Sequence, residues 1–346
     1  MSTATISDVA KLAGVSIKTV SRVVNREPNV RSSTREKVES AIAALNYRPN
    51  KAARNLASHH SNLIGLIYDD PSAYEVPSSG YVIALQQGAL AACREANYEL
   101  LIHPCRFQDR HIGKELTELI EQVRPDGIIL AAPLSNIPRV VKAIEATGTP
   151  LVRISPGKKN GGLPKVATDD FTVSAEMTRY LASLGHRRIA FIKGNAHHRA
   201  VGNRFRGYCA GLEQSGLRYS EQLVVDGDNS IGSGETAAKK LLSRKRRPTA
   251  IFAANDDMAA GVIRVADRMG IKVPAELSVA GCDDIALAQQ IFPALTTINQ
   301  PLAAMSERAV YSVIEKIRTG SIEHDNVIVP SSIVVRESTG PAPRRT

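Results

Sequence analysis

TISDVAKLAGVSIKTVSRVVN, residues 5–25, is the stretch from which the rest of the chain is best understood. Thr5 and Asp8 stand in capping-box spacing, so the sequence predicts a helix that starts at Ile6 with its first N–H groups satisfied. Val9, Ala10, Leu12 and Ala13 supply a small apolar face. Gly14 follows where that helix must stop and the chain turn sharply, a conformation that costs least without a Cβ. Ser16 is placed to cap a second helix, with Val20, Val23 and Val24 facing inward and Lys18, Thr19, Ser21 and Arg22 outward. Two short helices joined by a tight turn containing Gly make a helix-turn-helix unit, whose second helix fits a DNA major groove. The bland alternative is a helical hairpin inside a core. A basic, hydroxyl-bearing outer face weighs against it.

Charge is distributed to match. The 346-residue chain carries +10 overall, and residues 1–60 hold ten Lys/Arg against four Asp/Glu. A basic N-terminal arm before a near-neutral body fits a polyanionic partner. The length allows two or three domains with sizeable cores. Cys93, Cys105, Cys209 and Cys282 include no close pair, so no zinc site or disulfide framework is expected and the four read as buried small hydrophobes in a reducing compartment. No apolar run approaches ~18 residues and no charged-then-apolar leader precedes the first helix, so a soluble, cytoplasmic protein is expected. His59-His60 and His197-His198 lack metal spacing, GDNSIGSGE (227–235) lacks both the P-loop lysine and the dinucleotide-binding glycine pattern, and RKRR (244–247) reads as a solvated helix end. No metal or cofactor is expected.

After a loop at Arg26–Arg31, Ser33 and Glu36 repeat the capping-box spacing and Val38, Ile42 and Leu45 mark one face of a third helix. Tyr47, Pro49 and Asn50 break the pattern before KAARNLAS (51–58), which is too rich in Ala for a flexible linker. From Leu63 short apolar runs alternate with helical stretches: 63–70, 98–105, 127–133, 150–155, 165–170, 188–194, 222–228, 250–256, 277–284 and 295–300, then a helix over Leu302–Arg318 and a last strand near Val327–Arg336. This is a βα pattern of mostly parallel sheets, enough for two lobes of about 120–150 residues each. Crossovers between lobes are expected near Gly161–Pro164, Phe292–Pro293 and Ser321–His324. Four Asp-Asp pairs, at 69–70, 169–170, 256–257 and 283–284, each end an expected strand. Ligands of open α/β sheets bind beyond the carboxyl ends of strands, and carboxylates accept several hydroxyl hydrogen bonds, so a polyhydroxylated ligand suits them. About half of the eight are expected to be helix caps, Asp170 and Asp257 among them.

The runs TISDVAKLAGVSIKTVSRVVN and STREKVESAIAALNYRPNKAARNLAS, with LGHRRIAFI, AIFAANDDMAAG, VAGCDDIALA and LTTINQP further on, resemble the LacI/GalR family of bacterial transcription regulators along nearly the whole chain. The resemblance implies an all-α helix-turn-helix headpiece (1–48), a hinge helix within 49–60, and a two-lobed parallel-sheet core (61–340) similar to periplasmic sugar-binding proteins. It places one lobe at 61–162 plus 294–322, the other at 163–292 plus 324–340, and leaves a disordered tail at 341–346.

By the same resemblance Ile17, Lys18 and Arg22 read bases, while Thr5, Ser16, Thr19, Ser21, Asn25 and Tyr47 contact phosphates. Asn50, Ala53 and Leu56 belong to the hinge, with Leu56 wedging into a minor-groove step. Arg22 suits a guanine edge; Ile17 departs from the polar or aromatic residue of many relatives and offers only apolar contact. The implied effector residues are Asp69, Ser155, His198, Arg204, Asn255 and Asp283, with Ala200 shaping selectivity. Asn229 and Leu302 stand where several relatives carry an aromatic platform, which leaves Tyr74, Tyr81 or Phe171 to supply a ring. The expected protein is a homodimer on double-stranded operator DNA, a repressor of carbohydrate-utilisation genes switched by a small sugar-like effector, and no enzyme. The alternative is a sugar-binding or sugar-processing two-lobed protein without a regulatory role.

Overall fold

A computed structural model describes residues 4–24, 28–47, 60–70, 79–157, 162–323 and 325–344. The chain divides into two compact units, Met1–Ser61 and Asn62–Thr346. Among the described residues no helix is long and apolar enough to cross a membrane.

Among its described residues the first unit has three helices: α1 (Ile6–Ala13), α2 (Ile17–Val24) and α3 (Ser32–Ala44). The expected capping box on α1 forms. Asp8 N donates to Thr5 Oγ1, and the Asp8 carboxylate accepts from Thr5 N at 2.8 Å. Gly14 ends α1 in the left-handed region at φ 64°, and Ser16 Oγ accepts from Thr19 N at 3.1 Å to start α2. Val9, Ala10, Val20, Val23, Val38 and Ala41 make the core. Two local expectations fail. Leu12 is 56% exposed, because it projects about a third of a turn from the Ile6–Val9–Ala10–Ala13 stripe. The Ser33–Glu36 box does not form, because α3 starts two residues earlier, with Arg31 at its N-cap and Ser33 already inside the first turn. The expected hinge helix lies outside the described residues.

The second unit holds two six-stranded sheets. β1 (Leu63–Asp69), β2 (Glu99–Cys105), β3 (Gly127–Leu130), β4 (Leu151–Ile154), β5 (Lys165–Ala167) and β11 (Asn326–Ile328) form the first, in the order β11-β5-β4-β3-β1-β2 and all parallel. β6 (Ile189–Lys193), β7 (Val224–Asp226), β8 (Ala250–Ala253), β9 (Ser278–Asp283), β10 (Thr296–Asn299) and β12 (Ser332–Val334) form the second, in the order β12-β10-β9-β8-β6-β7, with only β12 antiparallel. Strands buried on both faces read as unbroken apolar runs, as in IIL and AIFA.

Helices cover both faces of the first sheet. On one side α4 (Gly80–Glu95) and α12 (Leu302–Thr319) pack over Leu66, Ile129 and Val152. On the other, α5 (Ile112–Val123) and α6 (Pro138–Ala146) pack over Ile67, Ile128 and Leu130. The second sheet is covered by α7 (Asp170–Ser183), α8 (Arg199–Gln214), α9 (Ile231–Leu242) and α10 (Asp256–Arg268), around one core that includes Phe191, Tyr208 and Phe252. The short α11 (Ala286–Gln290) follows β9.

Sheet membership corrects the expected lobe boundaries. The breakers at Gly161–Pro164 make a loop, but the next strand, β5, stays in the first sheet: Ser155 N donates to Val166 O and Lys165 N to Asp325 O. Likewise Phe292–Pro293 precedes β10, which pairs in parallel with β9 and so stays in the second sheet. The chain crosses one element later in each case, between β5 and α7 and between β10 and α12. The third crossing is not Ser321–His324, which links α12 to β11 within the first lobe, but the segment between β11 and β12. The single last strand expected over Val327–Arg336 is thus two strands, one per sheet, interrupted where Pro330 offers no ladder donor. The expected disordered tail is docked through at least Ala342, whose N–H donates to Leu184 O at 2.8 Å. Buried His186 holds the same segment, its Nε2 lying 3.0 Å from Gly340 O.

Candidate functional site

On the first unit, α2 presents Ile17, Lys18 and Arg22 exposed on one helix, with Ser16 at its cap and Thr19 and Ser21 half-buried beside them. Ile17 is 50% exposed, an apolar side chain left in water at a helix start. Thr5 and Ser16 already cap helices, and Ser16 and Thr19 share a hydroxyl hydrogen bond of 2.9 Å. Tyr47 is half-buried against the small core. Asn25, Asn50, Ala53 and Leu56 lie outside the described residues.

On the second unit, the carboxyl ends of strands from both sheets face one cleft of about 760 Å³, a size ordinary for a small-molecule site. All six residues expected to touch an effector line it: Asp69 and Ser155 from the first lobe, His198, Arg204, Asn255 and Asp283 from the second. Ala200 and Asn229 line it too. The lobes meet at its rim. The rings of Phe107 and His197 stand 4.9 Å apart, and Ile285 of the second lobe packs so close to Gly80 of α4 that a Cβ there would fall 2.8 Å from it.

Arg204 is committed to the protein. Its Nε donates to Asp170 at 2.8 Å, its Nη1 lies 3.5 Å from Asp283, and Nη1 also donates to Ala254 O. Asp283 accepts in addition from Gln300. Asn255 is committed as well: its Oδ1 caps α10 by accepting from Met258 N, and its Nδ2 donates to Asn229 O. The expected caps are therefore corrected. Asp169, not Asp170, caps α7 by accepting from Thr172 N at 3.1 Å, and Asn255, not Asp257, caps α10.

Nor do all four Asp pairs face the cleft. Asp69, Asp70, Asp257 and Asp283 line it; Asp256 is buried against Ile285 N and Thr297, and Asp284 pairs with Arg336 at 2.6 Å. A side chain alternates between two environments along a strand end, so adjacent carboxylates part company.

The cleft is acidic. Among the described residues, Asp69, Asp70, Asp228, Asp257 and Asp283 line it with Arg204 as the cation. Burial pushes Asp69 up to about 6, against the hydrogen bond it accepts from Phe107 N, and burial alone pushes Asp257 up to about 6. His198 is pushed down to about 4 by burial and then by Arg204, so its imidazole is neutral near pH 7. Such a wall accepts hydrogen bonds from hydroxyl groups and repels an anion. Of the rings considered, Tyr81 lines the cleft, Phe171 does not, and Tyr74 lies outside the described residues. Leu302 is buried in the first lobe's core, away from the cleft. Tyr68 and Phe107 supply further rings that sequence reasoning missed, as it missed Asn195, Asp228 and Gln300. Position beyond a strand end was the available signal for Phe107 and Gln300. A separate group, His103, Cys105 and Glu115, brings potential metal ligands together outside the cleft lining.

Residues 5–50 match the model for bacterial regulatory proteins of the lacI family, and residues 178–339 that for a periplasmic binding protein-like domain. The chain is similar to the HTH-type transcriptional repressor PurR of Erwinia tasmaniensis, 33% identical over 99% of this chain and 98% of the relative. Among solved structures it is similar to the lac repressor dimer bound to operator and the anti-inducer ONPF, with a TM-score of 0.81 and 29% identity over 98% of this chain and 100% of the other. It is also similar to the complex of the transcriptional regulator CelR with cellobiose, with a TM-score of 0.75 and 29% identity over 97% and 99%.

Proposed function

The chain belongs to the lacI family of bacterial regulatory proteins, and from that premise we propose that it is a homodimeric, cytoplasmic repressor of carbohydrate-utilisation genes whose grip on a pseudo-palindromic operator is set by a small ligand in the cleft. The observation that carries the reading is the joining, in one chain, of an exposed basic helix on a helix-turn-helix unit to a cleft walled by both lobes of an α/β core.

Arg22 is assigned to a guanine edge, Lys18 to a guanine or phosphate, and Ile17 to apolar contact with a base, while Thr5, Ser16, Thr19, Ser21, Asn25 and Tyr47 position the unit on phosphates. Asn50, Ala53 and Leu56 are assigned to the minor groove between half-sites.

In the cleft, Asp69, Ser155, His198, Asn255 and Asp283 are assigned to the effector, and Arg204 to holding the carboxylates of the second lobe in place. Because Arg204 already serves Asp170 and Asp283, a sugar acid or sugar phosphate would meet, among the described residues, an acidic wall whose cation is already engaged. The effector is accordingly an uncharged polyol. Closing the lobes on it changes the spacing of the first lobes of the dimer, so effector and operator affinities are coupled and the coupling is reciprocal.

The test is binding of the purified protein to labelled DNA from its own upstream region, at fixed salt, across a panel of neutral sugars, sugar acids and sugar phosphates. Release or strengthening by a neutral sugar alone is the expected result. A response to an acid or phosphate in preference to the parent sugar would overturn the ligand assignment, and sequence-independent binding throughout would overturn the operator assignment.

A further inference from the structure

His103 and Cys105 stand two residues apart on β2, an edge strand of the first sheet, so their side chains fall on one face. Glu115 comes from the first turn of α5, and Cys105 shares a core cluster with Ile112 and Leu116 of that helix. His103 Nε2 lies 3.2 Å from Glu115 Oε1, and the potential ligand atoms of all three lie within 4.8 Å of one another. Around a tetrahedral ion with bonds of ~2.0–2.3 Å, ligand atoms stand roughly 3.3–3.8 Å apart, so small side-chain rotations close this set.

We propose that His103, Cys105 and Glu115 bind a thiophilic divalent ion of the Zn²⁺ class, with three protein ligands and a fourth position for water. An imidazole–carboxylate hydrogen bond accounts for two of the residues, and the sulfur beside them, packed in the α5 core cluster, makes only a long 3.9 Å contact to His103 O. Charge favours the ion: a thiolate, a carboxylate and a neutral imidazole around a dication sum to zero, which suits a partly buried site. Without an ion the thiol is held protonated, its pKa pushed up by burial and then by the Glu115 and Asp69 carboxylates. On coordination the S–H proton passes to solvent as the sulfur–metal bond forms. The site stands behind the cleft. Cys105 is the register partner of Asp69, and Phe107, two residues on, donates its N–H to the Asp69 carboxylate at 2.8 Å.

The test uses the untagged full-length chain, stripped with chelator and titrated with Co²⁺. One ion per chain is expected, with a thiolate-to-cobalt charge-transfer band in the near ultraviolet that Zn²⁺ abolishes by displacement. Cys105→Ser should remove the band, Cys209→Ser, at the half-exposed thiol, should keep it, and His103→Ala and Glu115→Ala should each weaken binding by at least ~10-fold, the loss that even an outer partner of a metal ligand produces. No uptake by the unaltered chain, a full band in Cys105→Ser, or its loss in Cys209→Ser would overturn the site. Should Cys105→Ser not fold, the Glu115→Ala affinity decides, and an unchanged value rejects the proposal.

Discussion

Arg204 Nε lies 2.8 Å from Asp170 Oδ1, both side chains are buried, and the pair joins α8 to α7 beneath the floor of the cleft. A guanidinium so held is structural before it meets any ligand. Arg204→Ala would leave Asp170 and Asp283 buried without their cation, and breaking one partner of a buried pair costs about 3–5 kcal/mol. Urea unfolding of the variant is expected to show an unfolding free energy lower by that amount, together with loss of effector response. A variant as stable as the parent would mean that water enters and solvates the carboxylates.

Asp69 and Asp257 are expected to make ligand binding pH-dependent. Both have pKa values pushed up to about 6 from 3.8, so the folded state holds their protons more tightly than the unfolded chain does. Their contribution to stability is present below about 4 and lost as pH rises through about 6. A polyol donating hydroxyl hydrogen bonds favours the ionised carboxylates. Its affinity is therefore expected to rise with pH through about 6 and to level off above. Calorimetric titrations at a series of pH values read this directly, and Asp257→Asn should flatten part of the rise. A flat profile in the unaltered protein would show that neither carboxylate touches the ligand.

On the helix-turn-helix unit, Arg22→Ala is expected to cost ~1–3 kcal/mol on operator DNA and far less on random DNA, with effector affinity unchanged. Lys18→Ala separates the two roles open to that residue. If Lys18 meets a phosphate, competition binding over a range of salt shows the slope falling by about one and all sequences weakened alike.

A fourth expectation concerns the helix pair that seals the first sheet. A Cβ on Gly88 of α4 would fall 1.9 Å from the backbone oxygen of Ala303 in α12. Gly88→Ala must push the two helices apart, an overpacking that costs ~1–3 kcal/mol or more. Thermal unfolding should show a clear drop in Tm, and an unchanged Tm would mean that α12 slides at no cost.

Local signals served well where the cause is local. The Thr5–Asp8 box, the Gly14 turn and each of the ten expected strands from Leu63 to Gln300 depend on neighbours in the chain, and the structure has an element at each. The residues expected in the cleft converge because strand ends of a parallel sheet share a side. What a sequence window lacks is the identity of the strand next door. β5 joins the first sheet through bonds such as Lys165 N to Asp325 O, some 160 positions apart, and no breaker in between reports that. The exchange of roles between Asp169 and Asp170 has the same origin. Either can cap a helix, and Arg204, which arrives from the next helix, decides which one is drawn inward.

The order of strands in the two sheets has a consequence for biosynthesis. β11 and β12, which complete the first and second sheets, both lie between Asn326 and Val334. The nascent chain therefore carries the first sheet with β5 as an open edge from Ala167 until Asn326 is made, and the second with β10 likewise from Asn299 until Ser332, while α12, the roof of the first sheet, is made after almost all of the second lobe. Open edges invite pairing with other chains. A ribosome that stalls before Asn326 would release two nearly finished sheets with unpaired flanks, a product better suited to aggregation or to chaperone capture than to folding.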